Sequence, residues 1–529
     1  MDDLIIRGGD VIDGTGGPRR RADVVVSAGR IVEVAPDSVR SARRVIDALG
    51  QVVAPGFIDI HAHSDFTLPI NPRAESKIRQ GVTTEVVGNC GYSVAPALPG
   101  TAPMLKEYLS HSAPWLTFRD TTFQNYVETY PETSVNIVHL VGHHTLRLMT
   151  IGMEPRAARP GELQKMVALL EEALDAGAAG MSSGLFTAPG SFADREEIYA
   201  FGRVLARRNG RYFTHVRDES IRVFEAVREA IDVARQTGVR TQIAHLKLAG
   251  MDSWGRADEL LELIEQARSE GVPVECDQHP YAMGSFPLRN FLPTWVHEGG
   301  INAMVERLRD ADVRARLRAD IERDGLVNTG RLPSWDVVKV SISPSTPELQ
   351  GRSLGEIARE RRRDAFDQVC DCIIADRQMR ILMASLDQSD VDAITAKPWV
   401  LVGSDGNSLA VHGVTSQGMP HPRFYGSHAR VLGHCVRGGL LTLEQAIYKM
   451  TGGSAAALGW TDRGWIREGY CADIAIFDPA RVSDHATYEQ PHQYATGVTT
   501  VVVNGTVVID EGEHTGTLPG RVLKRPQPH

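Results

Sequence analysis

Cysteine is scarce. Six residues in a chain of 529, at positions 90, 276, 370, 372, 435 and 471, are too few and too scattered for a disulfide scaffold, so a reducing compartment is expected. The Cys370-Asp371-Cys372 pair has no second pair to complete a metal site and reads as two helix cysteines beside Phe366 and Val369. Positive charge is also short: 57 lysines and arginines stand against 66 acidic residues, a net charge of -9. That removes the basic face nucleic-acid binding calls for. The Arg361-Arg362-Arg363 run has acidic neighbours and reads as a solvated helix face. No apolar run approaches the roughly 20 residues needed to span a bilayer. The start, Met1-Asp2-Asp3-Leu4-Ile5-Ile6-Arg7, lacks the basic and then apolar pattern of a secretory leader. The expectation is a cytoplasmic protein with a small-molecule ligand, no nucleic acid and no membrane partner, and homo-oligomerisation left open.

What is present is enough apolar sequence, 42%, for a sizeable core, in a chain too long for one compact core but suited to a large barrel with an accessory domain. Short β runs separated by Gly14, Gly29 and Gly50 fill the first 47 residues. The same style returns near the end, where Val503-Asn504-Gly505-Thr506 reads as a tight hairpin turn. One small β domain built from both ends, 1–55 plus 464–529, is the reading. Between them, over 56–463, apolar runs at 57–63, 82–90, 135–142, 178–185, 212–216, 241–246, 272–281 and 400–405 alternate with amphipathic helices such as 160–176. Eight such strands predict an α/β fold, a (β/α)8 TIM-like barrel, with Ile381-Leu382-Met383 as a ninth candidate strand. The stretch 287–350 breaks the rhythm with a charged helix at 305–324 and a β run at 337–342. It reads as an inserted lid subdomain at the active-site mouth.

Polar residues gather at the predicted strand ends, where barrel enzymes carry their chemistry. His61 and His63 share one face of the first strand by period-two alternation. His215 and His245 end the fifth and sixth, and zinc is the natural metal for four such imidazoles. Asp405 ends the last strand, where a carboxylate can bind metal or act as general base toward a water. Hydrolases with this set often add a carboxylated lysine from a middle strand. Here the lysines between Cys90 and His215 are Lys106 and Lys165, and neither ends a strand. Cys90 does end one. It is either a thiolate ligand or an inert buried cysteine, and the missing lysine favours the ligand.

These residues, with Pro55-Gly56-Phe57-Ile58-Asp59-Ile60-His61-Ala62-His63, Gly88-Asn89-Cys90-Gly91, Val141-Gly142-His143, Thr214-His215-Val216-Arg217-Asp218-Glu219, His245-Leu246-Lys247, Gly403-Ser404-Asp405-Gly406 and His421-Pro422-Arg423, make the chain resemble the N-acyl-D-amino-acid deacylases (D-aminoacylases) of the amidohydrolase superfamily. The resemblance runs over nearly the whole chain. It implies a zinc-dependent hydrolase that releases a D-amino acid from its N-acyl derivative. It implies one tight metal site on Cys90, His215 and His245, and a weaker one on His61, His63 and Asp405, with Asp405 as base and then acid. It also implies that Lys247 and Tyr281, with Arg289 from the insertion and His143, hold the substrate. Two positions depart from the family pattern: His279 stands where a tyrosine is usual, and Met383-Ala384-Ser385-Leu386-Asp387 lacks a common glutamate. His279 is then a pocket donor or an extra metal ligand. Three rival readings stand beside this one: a superfamily hydrolase of a cyclic or otherwise unusual amide, a metal-bound scaffold without catalysis, and a surface-binding scaffold with scattered histidines.

Overall fold

The computed structural model describes residues 1–526. Eight strands form one parallel sheet: Phe57–Asp59, Val82–Val87, Asn136–Gly142, Gly180–Gly184, Arg211–His215, Arg240–Ile243, Val274–Gln278 and Val400–Val402. They follow one another in chain order around the sheet. The first and last meet where the Asp405 N–H donates to the His61 carbonyl at 2.8 Å and the His63 N–H donates to the Gly406 carbonyl at 3.1 Å. The barrel is thus closed by backbone bonds of three of the residues singled out for chemistry.

Seven of the eight strands are shorter than their apolar runs, and Arg211–His215 matches its run in length. The expected strands carried Cys90, His245 and Asp405 at their ends, but the chain leaves the ladder first. All three adopt left-handed backbone, with φ of 54°, 35° and 48°. A β strand cannot include such residues, and for a non-glycine each costs on the order of 1–2 kcal/mol. That strain turns the side chains off the strand direction toward a common point.

A nine-stranded sheet is built from both chain ends. Strands between Asp2 and Pro55 pair with Ile474–Phe477, which continues through Val498–Val503, Thr506–Asp510 and Glu513–His514. Its hairpin turn has φ of 49° at Asn504 and 83° at Gly505, the two positive values that Asn-Gly tolerates. Val52, Phe477 and Val501 of this sheet share one buried cluster with Phe57 and Val82 of the barrel. The sheet therefore packs where the barrel strands begin, at the end opposite the site.

A third layer follows the seventh barrel strand. Gly284–Pro287, Arg380–Met383 and Val338–Ile342 form an antiparallel sheet with Arg380–Met383 in the centre. The ninth candidate strand therefore belongs here and not to the barrel. The layer has its own core, including Leu288, Phe291, Met304, Leu308, Val340, Ile373 and Ile381. The expected insertion 287–350 covers only part of it, because strand pairing ties residue 284 to residue 383. The single helix expected at 305–324 is two, Gly300–Arg309 and Ala311–Asp324. Asp310 breaks it: its backbone is extended, and its side chain caps the second helix by accepting from the Asp312 and Val313 N–H groups. Cys370 and Cys372 are buried in the helix Ala365–Ala375, where burial pushes the Cys370 thiol up to about 12 and leaves it inert.

Candidate active site and metal centre

Six side chains converge at the C-terminal mouth of the barrel. Cys90 Sγ lies 3.4 Å from His61 Nε2 and 3.3 Å from His245 Nε2. Asp405 Oδ1 lies 3.7 Å from His61 Nε2 and 3.1 Å from His63 Nε2. The ring of His215 stands 4.4 Å from that of His245 and stacks on Phe186. The donor atoms of His61, Cys90, His245 and Asp405 lie within 4.8 Å of one another, and those of His215, Glu219 and His245 do so separately.

Charge accumulates here with little water. Burial opposes ionisation of Cys90, but the imidazoles of His61 and His245 override it and hold the thiol well below its ordinary range. Asp405 follows the same logic. Burial raises its pKa, while Arg423 and His245 more than reverse this and hold the carboxyl well below the usual carboxylate range. Arg423 is the direct partner, with Nη2 3.0 Å from Asp405 Oδ2.

The donor set fits a divalent soft-to-borderline metal. Two imidazoles turn Nε2 toward one thiol, and behind each the Nδ1 faces a carboxylate. His245 Nδ1 is 2.9 Å from Glu219 Oε1, and His61 Nδ1 is 3.2 Å from Asp277 Oδ1. Carboxylates behind metal-binding imidazoles fix the tautomer and raise the basicity of the inward nitrogen. A thiol held as thiolate among imidazoles is a zinc donor set.

Glu219, Asp277, Asn328, Arg380 and Arg423 received no role from the sequence. Glu219 was recoverable, since it sits four residues after His215 and contacts it at 3.4 Å. Asn328 was not. It comes from a loop of the inserted layer, donates to Glu219 Oε2 at 2.7 Å and lies 3.0 Å from His215 Nε2.

The site opens into a cavity of about 1450 Å³, part of it open to solvent. The barrel supplies the ligand side with Lys247 and Phe186, and the inserted layer supplies a wall that includes Phe286, Asn290, Ile342, Arg380 and Met383. Lys247 is already engaged, with Nζ 2.9 Å from both Glu219 Oε1 and His245 Nδ1. Arg380 is not: among the described residues it bonds to Ser112 Oγ and to no carboxylate.

Three expected substrate-binding residues do not line this cavity. Tyr281 lies behind it, its ring under Arg430 at 4.8 Å and edge-on to His421. Arg289 is buried in the short helix Leu288–Phe291, where it donates to the Arg377 carbonyl and meets His111 Nδ1 at 2.8 Å. It lines a smaller neighbouring cavity with Tyr92 and Tyr108. His143 is buried against Glu197, with Nε2 at 2.7 Å from Oε1. His279 joins neither donor group and does not line the cavity; its Nε2 meets Arg423 Nη1 at 3.3 Å.

The buried cluster of His143, Glu197 and Arg147 carries its own prediction. Arg147 also bonds Glu197, at 2.8 Å. Burial opposes the Glu197 charge, but the hydrogen bond from His143 and the Arg147 guanidinium hold the carboxyl at about 2. The folded pKa is below the unfolded one, so this stabilisation is complete above pH 4.5 and is lost as the pH falls toward 2. It is worth on the order of 3 kcal/mol. Urea midpoints measured from pH 6 to pH 2 will fall less steeply below pH 4.5 in Glu197→Gln than in the wild type. Parallel slopes would remove Glu197 from the acid-labile groups.

Residues 44–509 match the model of the amidohydrolase family. The chain is 36% identical to the D-aminoacylase of Alcaligenes xylosoxydans xylosoxydans over 99% of its length and 98% of that protein's. It is 38% identical to the N-acyl-D-aspartate deacylase of the same organism, over 98% and 95%. Among solved structures it resembles the N-acyl-D-glutamate deacylase of Bordetella bronchiseptica, complexed with zinc and a phosphonate inhibitor that mimics the tetrahedral intermediate. There the TM-score is 0.82 and the identity 34%, over 99% of both chains. The chain belongs to the amidohydrolase family and is a metal-dependent amide hydrolase.

Proposed function

We propose that this enzyme hydrolyses N-acyl-D-amino acids to a carboxylate and a free D-amino acid, with zinc as its metal. The observation that carries the reading is the thiolate–imidazole cluster beside Asp405, facing a cavity whose wall holds an arginine without a carboxylate partner. The acyl group and the D configuration rest on relatives of 36–38% identity over nearly the full chain.

Cys90, His215 and His245 would hold the tighter zinc, and His61, His63 and Asp405 a second, weaker position. What a bound zinc ion supplies is Lewis-acid polarisation of the amide carbonyl and a lowered pKa for the adjacent water. Asp405 does the proton work. It takes a proton from the attacking water and passes it to the departing nitrogen, so that the amine leaves neutral. Arg423 offsets the cost of burial and keeps Asp405 ionised at neutral pH. Arg380, on the wall of the cavity that Lys247 also lines, holds the substrate carboxylate and sets the amide against Asp405. That contribution is one of orientation. Arg380 takes the place expected of Arg289.

The test is a turnover profile with zinc quantified. N-acetyl-D-amino acids, their L enantiomers and cyclic imides are assayed with the wild type and with Arg380→Met. The expected result is hydrolysis of the D series with stoichiometric zinc. In Arg380→Met, KM rises about 30-fold or more, the loss of a charge-assisted bond worth roughly 2 kcal/mol. Equal rates on L substrates, or preference for cyclic imides, would sink the assignment.

A further inference from the structure

Lys77 is a charged side chain with no access to water, and the mechanism above does not use it. It stands on the short helix Glu75–Ile78 and does not line the cavity. Its ammonium donates to Asp59 Oδ2 at 2.6 Å, to Ser404 Oγ, and to the Gly406 carbonyl at 3.3 Å. Glu85 lies 3.8 Å away on the second barrel strand. Lys77 therefore grips the residues immediately before and after Asp405.

Asp405 needs such a grip. Its backbone is left-handed, a conformation that persists only where the surroundings over-determine it. Asp59, the Lys77 partner, accepts from the Ser404 N–H at 2.8 Å and from the His61 N–H at 3.3 Å. The Gly406 N–H donates to Ser404 Oγ at 3.1 Å. One ammonium thus ties the stretch just past the first strand, which carries His61 and His63, to the loop that carries Asp405. This is also the seam that closes the barrel. An apolar side chain would fill this interior without the cost of taking an ammonium out of water, so packing alone does not account for a lysine here.

We infer that Lys77 is a positioning residue for the reaction, holding Asp405 at its working distance from His61 and His63 through Ser404 and Gly406. The inference rests on Asp405 as the proton carrier. It differs from a purely structural role in what it does to kinetics: kcat falls, while KM holds because the cavity wall is untouched.

Full-length, zinc-loaded Lys77→Met and Ser404→Ala are assayed on the N-acetyl-D-amino acid the wild type turns over best. Zinc content and melting temperature are recorded alongside. Ser404→Ala removes a single hydroxyl from the grip, and it is repeated in an Asp405→Asn background. Expected are a kcat loss of about 100-fold in Lys77→Met and about tenfold in Ser404→Ala, each with KM within about twofold of wild type. In the Asp405→Asn background, Ser404→Ala changes the residual kcat by less than about twofold, because the group it positions is already gone. The inference is overturned by wild-type kcat in folded Ser404→Ala, by an equal loss in the Asp405→Asn background, or by failure of Ser404→Ala to fold. If Lys77→Met does not fold, Ser404→Ala decides. Full activity of Asp405→Asn is a separate result and strikes the proton-carrier reading itself.

Discussion

Asp405→Asn will purify with the wild-type content of tightly held zinc and turn over substrate about a thousandfold more slowly, within the range of 10² to 10⁴ that a positioned acid–base group contributes. The amide keeps the size of the carboxylate and its place beside His63 and Arg423. What it loses is the ability to accept a proton. The donors proposed for the tighter zinc, Cys90, His215 and His245, are untouched, so metal and catalysis separate in this variant. Inductively coupled plasma analysis beside steady-state assays makes the check. Near-wild-type turnover would disprove the base assignment, and loss of all zinc would make Asp405 chiefly a ligand.

Cys90→Ala will do the opposite and lose metal and activity together. Cys90 is the one soft donor in the cluster, with His61 and His245 at 3.4 and 3.3 Å from its sulfur. Removing it leaves imidazoles that hold zinc far more weakly. The wild type should gain melting temperature when zinc is added to chelated protein, by the linkage that any ligand of the folded state obeys. Cys90→Ala should show little gain at the same zinc concentration, and its turnover should stay below about 1% of wild type at stoichiometric zinc. A variant that retains stoichiometric zinc after dialysis would return Cys90 to the status of an inert buried thiol.

The barrel was legible because parallel strands buried on both faces are written as short apolar runs, and the histidines stood at their ends. The convergence of His61, His63, Cys90, His215, His245 and Asp405 was legible for the same reason. What could not be read was the backbone that aims it. The left-handed turns at Cys90, His245 and Asp405 lie just past the ladder, and no local pattern marks them. The inserted layer was harder still. Its sheet pairs residues 284–287 with 380–383, and that long-range pairing decides which arginine faces the cavity. Arg289 lies in the expected insertion and is turned away, whereas Arg380 lies beyond its expected end and faces in. His143 and Tyr281 show the limit of reading roles from motifs. Each sits in a recognisable stretch, yet one bonds Glu197 and the other lies under Arg430, both away from the cavity lining.

The inserted layer keeps a hydrophobic core of its own, drawn from residues 288–383, and among the described residues it shares no buried cluster with the barrel strands. The layer's wall of the cavity and the barrel's polar cluster are therefore written largely in different parts of the gene, with Asn328, which reaches His215 and Glu219 from the layer, as the exception. After a duplication, changes within residues 284–385 that spare Asn328 would alter the cavity wall of one copy while the cluster on the barrel is inherited unchanged.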